Sequence, residues 1–280
     1  MVTHTAKHVV DNLNTLTGAY RLDEVTTDFI EYLFTLLRLD DVIVEHADTV
    51  DKYTTDSRSR EAVDELLTEA ALDVVTASHE TGRDVIGEVY ELAAQHRGKQ
   101  EHLGQYFTPS GVTDLMSELT DESSTEPTES TDYDRGDMSA DAIESRPWIG
   151  DLGGCGSGRL LLPKAFETPA GIFCGIDKDR ICAKLAAINL ALWNLDGQVI
   201  HGNALTCEYQ SVFNVYHDEQ CGGYILTSHP EDSLLMVPSR SHEDAEEPQA
   251  DSAQHTDLDE ANSVPSHAAQ AFVDDWNTSQ

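Results

Sequence analysis

The chain has 280 residues, 39% of them apolar, enough to bury the core of one large domain or two small ones. Its 52 acidic residues against 17 basic ones give a formal charge of −35, which keeps a protein dispersed and opposes contact with polyanions in dilute buffer. The acid is spread along the whole chain, as expected of a cytoplasmic protein adapted to molar salt, where charges are screened within ~3 Å. An ordinary acidic protein with disordered segments is the plainer alternative. Five cysteines (Cys155, Cys174, Cys182, Cys207 and Cys221) are an odd number without a C-x-x-C pair. That argues against a disulfide framework and for small buried thiols in a reduced compartment. The N-terminus carries no cationic segment followed by an apolar run. No apolar stretch approaches the ~20 residues that span a bilayer, so no membrane association is expected.

Residues 1–100 read as helices. Phe29, Leu33 and Leu36 recur at helical spacing, as do Leu66, Ala70 and Val74, and then Val85, Val89 and Leu92. Glycine is scarce there and proline absent, which predicts a small helical bundle as an N-terminal domain. The short basic spot His96-Arg97-Gly98-Lys99 is weak evidence for phosphate contact. Next comes Gly104-Gln-Tyr106-Phe107-Thr108-Pro109, followed by Ser110 as an N-cap and by Val112, Leu115, Met116 and Leu119 at helical spacing. Taken alone, that run reads as a ligand-gripping loop or, more simply, as a rigid turn. Residues 120–146 are rich in Ser, Thr, Glu and Asp without apolar period and read as a flexible acidic linker.

Trp148-Ile149 then leads into Asp151-Leu-Gly-Gly154-Cys-Gly156-Ser-Gly158-Arg159, the outline of a strand, a tight turn and a helix start. Glycines at such a turn let backbone N–H groups approach a ligand and adopt φ > 0. A second strand, Ile172 to Ile176, ends in Asp177, where a carboxylate could receive ribose hydroxyls. Ile181, Leu185, Ile188 and Leu192 mark the buried face of a covering helix. Val199-Ile200 reads as a third strand, ending at Gly202-Asn203, and Tyr224 to Thr227 as a fourth, ending at Ser228-His229-Pro230-Glu231. Strands alternating with helices predict a parallel sheet with its ligand at the strands' carboxyl ends. From Pro238 onward polar and acidic residues dominate, and a disordered tail over 238–280 is expected.

The glycine spacing argues against a dinucleotide fingerprint, because the third residue after Gly156 is Arg159, and a P-loop Gly-Lys-Ser/Thr is absent. Twelve histidines are scattered, and His229 has no His or Cys partner at ligand spacing, while His4 and His8 lack a third ligand. Surface histidines and no metal site are expected.

Gly154-x-Gly156-x-Gly158 resembles the first motif of S-adenosylmethionine-dependent methyltransferases. With its neighbours it resembles a narrower family, the adenine-N6 DNA methyltransferases, chiefly the modification subunits of type I restriction systems. The resemblance runs from Asp84-Val-Ile-Gly-Glu-Val-Tyr-Glu91, an entry helix, through Gly104–Pro109, the first cofactor-contacting loop. It continues through Gly156-Ser-Gly158, Gly175-Ile-Asp177, Asn189-Leu-Ala-Leu192 and Gly202-Asn-Ala-Leu205, in family order. The fold it implies is α/β: a Rossmann-like methyltransferase sheet, here reading as incomplete, over residues 101–237 after an N-terminal helical domain over residues 1–100.

The resemblance also implies roles. Tyr106, Phe107, Thr108 and Pro109 would hold the cofactor's methionine end, with Asp151 near the methionine amine. Gly154, Gly156 and Gly158 would form the turn, Asp177 would take the ribose and Asn203 the adenine amino group, through a carbonyl without charge assistance. Ser228 and Pro230 would stand for the catalytic motif, whose polar residue accepts a hydrogen bond from a flipped-out target amine. This chain departs from the pattern in three ways. Asp151 lies one residue further from Cys155, and His229 and Glu231 replace a proline and a stacking aromatic worth ~1–3 kcal/mol per base. The tail shows no pattern for the further strands and target-recognition region with which the family fold runs on. The resemblance thus implies a DNA adenine-N6 methyltransferase of restriction-modification type, with DNA and a specificity or companion methylase subunit as partners. The alternatives are a non-catalytic cofactor-binding subunit whose open sheet edge takes a partner, and a small-molecule or protein methyltransferase.

Overall fold

A computed structural model of the protein describes residues 3–38, 43–95, 108, 112–113, 135–137, 139–220 and 222–234. The expected tail over 238–280 lies outside the described residues. Five helices come first: α1 (His4–Asn14), α2 (Leu22–Leu36), α3 (Ile43–Tyr53), α4 (Arg60–Thr81) and α5 (Val85–Gln95). Their ends are set by local chemistry. Thr3 caps α1 by accepting from the Ala6 N–H, Ser59 caps α4 by accepting from the Ala62 N–H, and Gly82 closes α4 at φ 62°. Most of the predicted stripes face inward: Phe29, Leu33, Ala70, Val74, Val85 and Val89 are buried and Leu66 and Leu92 partly so, while Leu36 is exposed and Leu67, beside the predicted Leu66, takes the buried place.

The sheet follows. A short helix α6 (Ala140–Ser145) leads into β1 (Trp148–Asp151), then α7 (Leu162–Glu167), β2 (Ile172–Asp177), α8 (Arg180–Leu192), β3 (Asp196–Asn203), β4 (Glu208–Tyr216) and β5 (Tyr224–Ser228). Strand order equals chain order, β1-β2-β3-β4-β5. The first three strands are parallel, as α/β crossovers through α7 and α8 require, but β4 runs antiparallel to both β3 and β5. The expected parallel sheet is therefore mixed. The strand missed by sequence pattern, β4, opens with exposed Glu208 and Gln210 and carries Asn214 inside its buried half, so its apolar run looks too short. The outer edge of β5 is met by the helical bundle: the Ile225 N–H donates to the Leu37 carbonyl at 2.8 Å.

Helix α8 joins the bundle to the sheet. Eleven of its residues, Cys182 to Leu192, are buried between the sheet and α2. Lys184 on α8 pairs with Glu31 on α2 and lies 4.4 Å over the Phe34 ring, which meets Phe213 of β4 edge-on with centroids 5.0 Å apart. One continuous apolar core consequently runs from Ala6 in α1 to Ile225 in β5, and residues 1–234 form one compact unit.

The end of the expected flexible linker is held in place, which corrects its boundary. Arg146, 3% exposed, donates to Asp196 Oδ2 at 2.6 Å, to the Ala170 carbonyl at 2.7 Å and to the Gly171 carbonyl at 3.2 Å. Asp196 also accepts from the N–H groups of Gly136 (2.9 Å) and His217 (2.7 Å). This fully buried ion pair ties residues 135–146 to the start of β3 and so fixes the entry to β1. Among the described residues no helix is long and apolar enough to cross a membrane.

Candidate cofactor site

The carboxyl ends of β1, β2 and β3 share one edge of the sheet, and the glycine turn folds over it. The Cys155 N–H bonds the Ile176 carbonyl at 2.9 Å, which docks the turn on β2. Gly154, Gly156 and Gly158 all have positive φ (117°, 56° and 77°), which side chains rarely adopt. Gly158 has a second reason to lack a side chain, since a Cβ there would lie 3.2 Å from the Ala186 Cβ on α8. Gly175 leaves room for the Cys155 thiol, which a Cβ would meet at 2.9 Å. Burial pushes the Cys155, Cys174 and Cys182 thiols up, Cys174 to about 12, so these are inert packing groups, as expected.

Two carboxylates meet under the turn. Asp177, 9% exposed, accepts from the Gly156 N–H and from the Asp179 N–H, both at 2.8 Å. Burial raises its pKa against the lowering effect of those two N–H groups. Asp151 is raised too, by burial first and by the charge of Asp177, with the Gly153 N–H opposing. The Asp151 Oδ2 atom is sealed from solvent and has no hydrogen-bond partner among the described residues. A buried acceptor without a donor is costly.

The turn is backed by a polar cluster to which the sequence reading assigned no role. Asp84, 3% exposed, caps α5 by accepting from the Gly87 N–H at 2.8 Å. Its carboxylate also accepts from Ser157 Oγ (2.5 Å), Arg159 Nε (2.9 Å) and Asn189 Nδ2 (2.7 Å). Arg159 Nη1 reaches Glu91 Oε1 at 3.0 Å and the Thr108 carbonyl at 3.1 Å. Gly87 must be glycine, because a Cβ would sit 2.1 Å from Asp84 Oδ2. The available sequence signal was the Asp-x-x-Gly spacing at the head of an apolar helix, an N-cap with room beneath it.

The other candidate residues are distributed as follows. Thr108 is brought to the turn through its carbonyl, while Tyr106, Phe107 and Pro109 lie outside the described residues. Asn203 ends β3, and its Oδ1 accepts from the Leu205 N–H at 3.0 Å. Ser228 ends β5, its Oγ accepting from Asn214 Nδ2 at 2.7 Å, and Pro230 opens the short 3₁₀ turn Pro230–Asp232. Ser228 shares the carboxyl edge but not the crevice. Its strand is three strand spacings from β2, roughly 14 Å at the usual ~4.8 Å per strand. His201 and Ser211 occupy the row between, directly in register with Asp177. His229 and Glu231 are exposed. Among the described residues no group of three or more His, Cys, Asp or Glu side chains could hold a metal ion.

A sheet with a parallel core, a three-glycine turn after its first strand and an acid closing its second defines a protein of the α/β class. More specifically, the family model for N-6 DNA methylases matches residues 81–222, just over half of the chain, and the chain belongs to that family. Comparison with curated proteins and with solved structures gave no match. The matched span begins just before Asp84 and covers the glycine turn, both crevice carboxylates and β5's approach. Members of this family act on adenine in DNA and generally use S-adenosylmethionine.

Proposed function

We propose that the crevice between β1 and β2 binds S-adenosylmethionine, in a cytoplasmic modification-type subunit of a restriction system. The observation that carries this reading is the orphaned Asp151 Oδ2 beside Asp177 under a turn of glycines. The residues fit the cofactor in kind. Asp151 would take the cationic methionine amine and Asp177 the ribose hydroxyls, each as a charge-assisted acceptor. Gly154, Gly156 and Gly158 would let the backbone approach, Thr108 with Tyr106, Phe107 and Pro109 would flank the methionine end, and Asn203 would accept from the adenine amine. When bound, the cofactor supplies an activated methyl group. The chain's own contribution is to orient it and to exclude water, so that a target amine can approach in line.

For transfer to adenine N6 by this chain, Ser228 would have to accept a hydrogen bond from the flipped-out amine. One observation favours the second reading, a cofactor-binding subunit that does not itself complete transfer: the roughly 14 Å, by strand spacing, between Ser228's strand and Asp177's. Ser228 Oγ is moreover already engaged by Asn214, and Glu231 offers no ring for stacking. Binding is the function these features support best.

Calorimetric titration with S-adenosylmethionine in molar KCl, paired with transfer of labelled methyl to unmethylated DNA, tests both readings. Heat without label supports the binding subunit. Heat with label that survives Ser228→Ala supports the enzyme and removes Ser228 from it. Absence of heat sinks the cofactor reading and leaves a partner role.

A further inference from the structure

The glycine turn is followed at once by an arginine that points away from the crevice mouth and into the protein. Arg159 has a side chain only 12% exposed, facing Asp84 (2% exposed) and Glu91 (18% exposed). Its donors reach three acceptors on two segments distant from it in sequence: Nε to Asp84 at the head of α5, and Nη1 to both Glu91 of α5 and the carbonyl of Thr108. Ser157 and Asn189 hold the same Asp84 carboxylate from the turn and from α8. Asp84 is thus a fixed post, held by its Gly87 cap and by α8, and Arg159 is the arm it steadies. Lysine could not reproduce this, because one ammonium cannot face two carboxylates and a carbonyl with the planar fork of a guanidinium. Burial alone would pull the Arg159 pKa down, and Asp84 and Glu91 outweigh it. The charge on the arm is therefore secure.

We propose that Arg159 is a positioning residue that seats Thr108 against the glycine turn, so that one guanidinium sets the spacing between the turn and Thr108. This rests on the cofactor reading for its purpose, though not for its geometry. Arg159 acts through the Thr108 carbonyl, and Glu91 matters because it orients the same Nη1 group that holds that carbonyl. Removing Arg159 releases Thr108 while leaving Asp151, Asp177 and the three glycines in place.

The test measures amide hydrogen exchange of the peptide containing Thr108 and S-adenosylmethionine titration, both in the full chain, for wild type, Arg159→Gln and Arg159→Lys. Arg159→Gln is expected to speed exchange at Thr108 but not in α1 or β3, and to weaken the cofactor about tenfold, as for one lost hydrogen bond to a charged group. Arg159→Lys is expected to fall between the two, and it carries the test if the glutamine variant fails to fold. Unchanged exchange at Thr108 in whichever variant folds overturns the proposal, whatever the titration gives. Faster exchange with an unchanged cofactor Kd also overturns it, because Thr108 would then not be a wall of the site. If wild type binds no S-adenosylmethionine while exchange at Thr108 still rises in the variant, the clasp stands and the cofactor reading alone has failed.

Discussion

Removal of the Asp196 carboxylate gives the sharpest test of how the sheet is held. Asp196→Ala strips Arg146, whose side chain is 1% exposed, of its ionic partner in the 2.6 Å pair. The cation keeps the Ala170 and Gly171 carbonyls, which are neutral acceptors. Breaking a buried ion pair from one side costs ~3–5 kcal/mol, because the surviving charge stays desolvated. The N–H groups of His217 and Gly136 also lose their acceptor, and both residues are half-buried, so water can partly replace it, at about 1 kcal/mol for the two. The expected loss is roughly 4–6 kcal/mol, against the ~5–15 kcal/mol that holds a typical domain.

Urea denaturation followed by circular dichroism measures the loss, and urea leaves ionic strength free to vary. In dilute and in molar KCl the loss should be alike, because salt screens exposed charges within ~3 Å but cannot reach this pair. The exposed pair Arg60–Asp51, with both side chains 55% exposed, is the control and should be nearly silent. Pairing Asp196→Leu with Arg146→Met should not restore stability. The backbone groups of Ala170, Gly171 and His217 would still lack partners. A loss under about 1 kcal/mol, the range of surface pairs, or one that shrinks in molar salt, would refute the account of residues 135–146 as an anchored segment.

Two other outcomes are expected. Gly158→Ala must hold φ 77° with a side chain and press its Cβ to 3.2 Å from Ala186, so it should cost roughly 2–4 kcal/mol of stability and weaken cofactor binding. Gly153→Ala, which meets nothing within 4 Å, should do neither, as melting and titration would show. Cofactor affinity should fall as the pH drops through the raised pKa values of Asp151 and Asp177, earlier than an ordinary carboxylate near ~4 would allow, and Asp151→Asn should flatten that profile. The same two groups act on folding with the opposite sign. Because their folded pKa values are raised, their stabilising effect is full below the unfolded values and is lost as pH rises through the folded ones. Comparing wild type with Asp151→Asn over one pH series isolates the two effects: the difference in affinity and the difference in urea midpoint should run with opposite slopes, and parallel differences would contradict the assignment.

Local patterns carried the helices and the turn. Phe29 and Leu33, or Val85 and Val89, repeat at a spacing that only a helix converts into one buried face. Gly154, Gly156 and Gly158 stand out because three alternating glycines mark a turn that uses positive φ, which side chains rarely adopt. What stayed hidden depends on partners distant in the chain. Arg146 sits at the end of an acidic run, and nothing near it in sequence signals an aspartate fifty positions on. The Asp84–Arg159 pair spans seventy-five residues and leaves no periodic trace. Strand β4 was obscured because Ser211 falls on its apolar face and Val212 on its polar one, which breaks the alternation mid-strand, and without β4 the antiparallel turn of the sheet could not be foreseen. Two strands lie between the strand of Ser228 and that of Asp177, and with β4 unread nothing in the sequence measured that separation.

The continuous core from α1 to β5 has a thermodynamic consequence. A ligand held by the glycine turn stabilises every element that must come apart with that turn, and here this includes α1 and α2, which share its apolar core. Saturation at 100 times Kd adds about 2.7 kcal/mol to whatever unfolds as one unit. The helical bundle is thereby a thermometer for the crevice: its melting reports occupancy at a distance, for any candidate molecule, with no chemistry required.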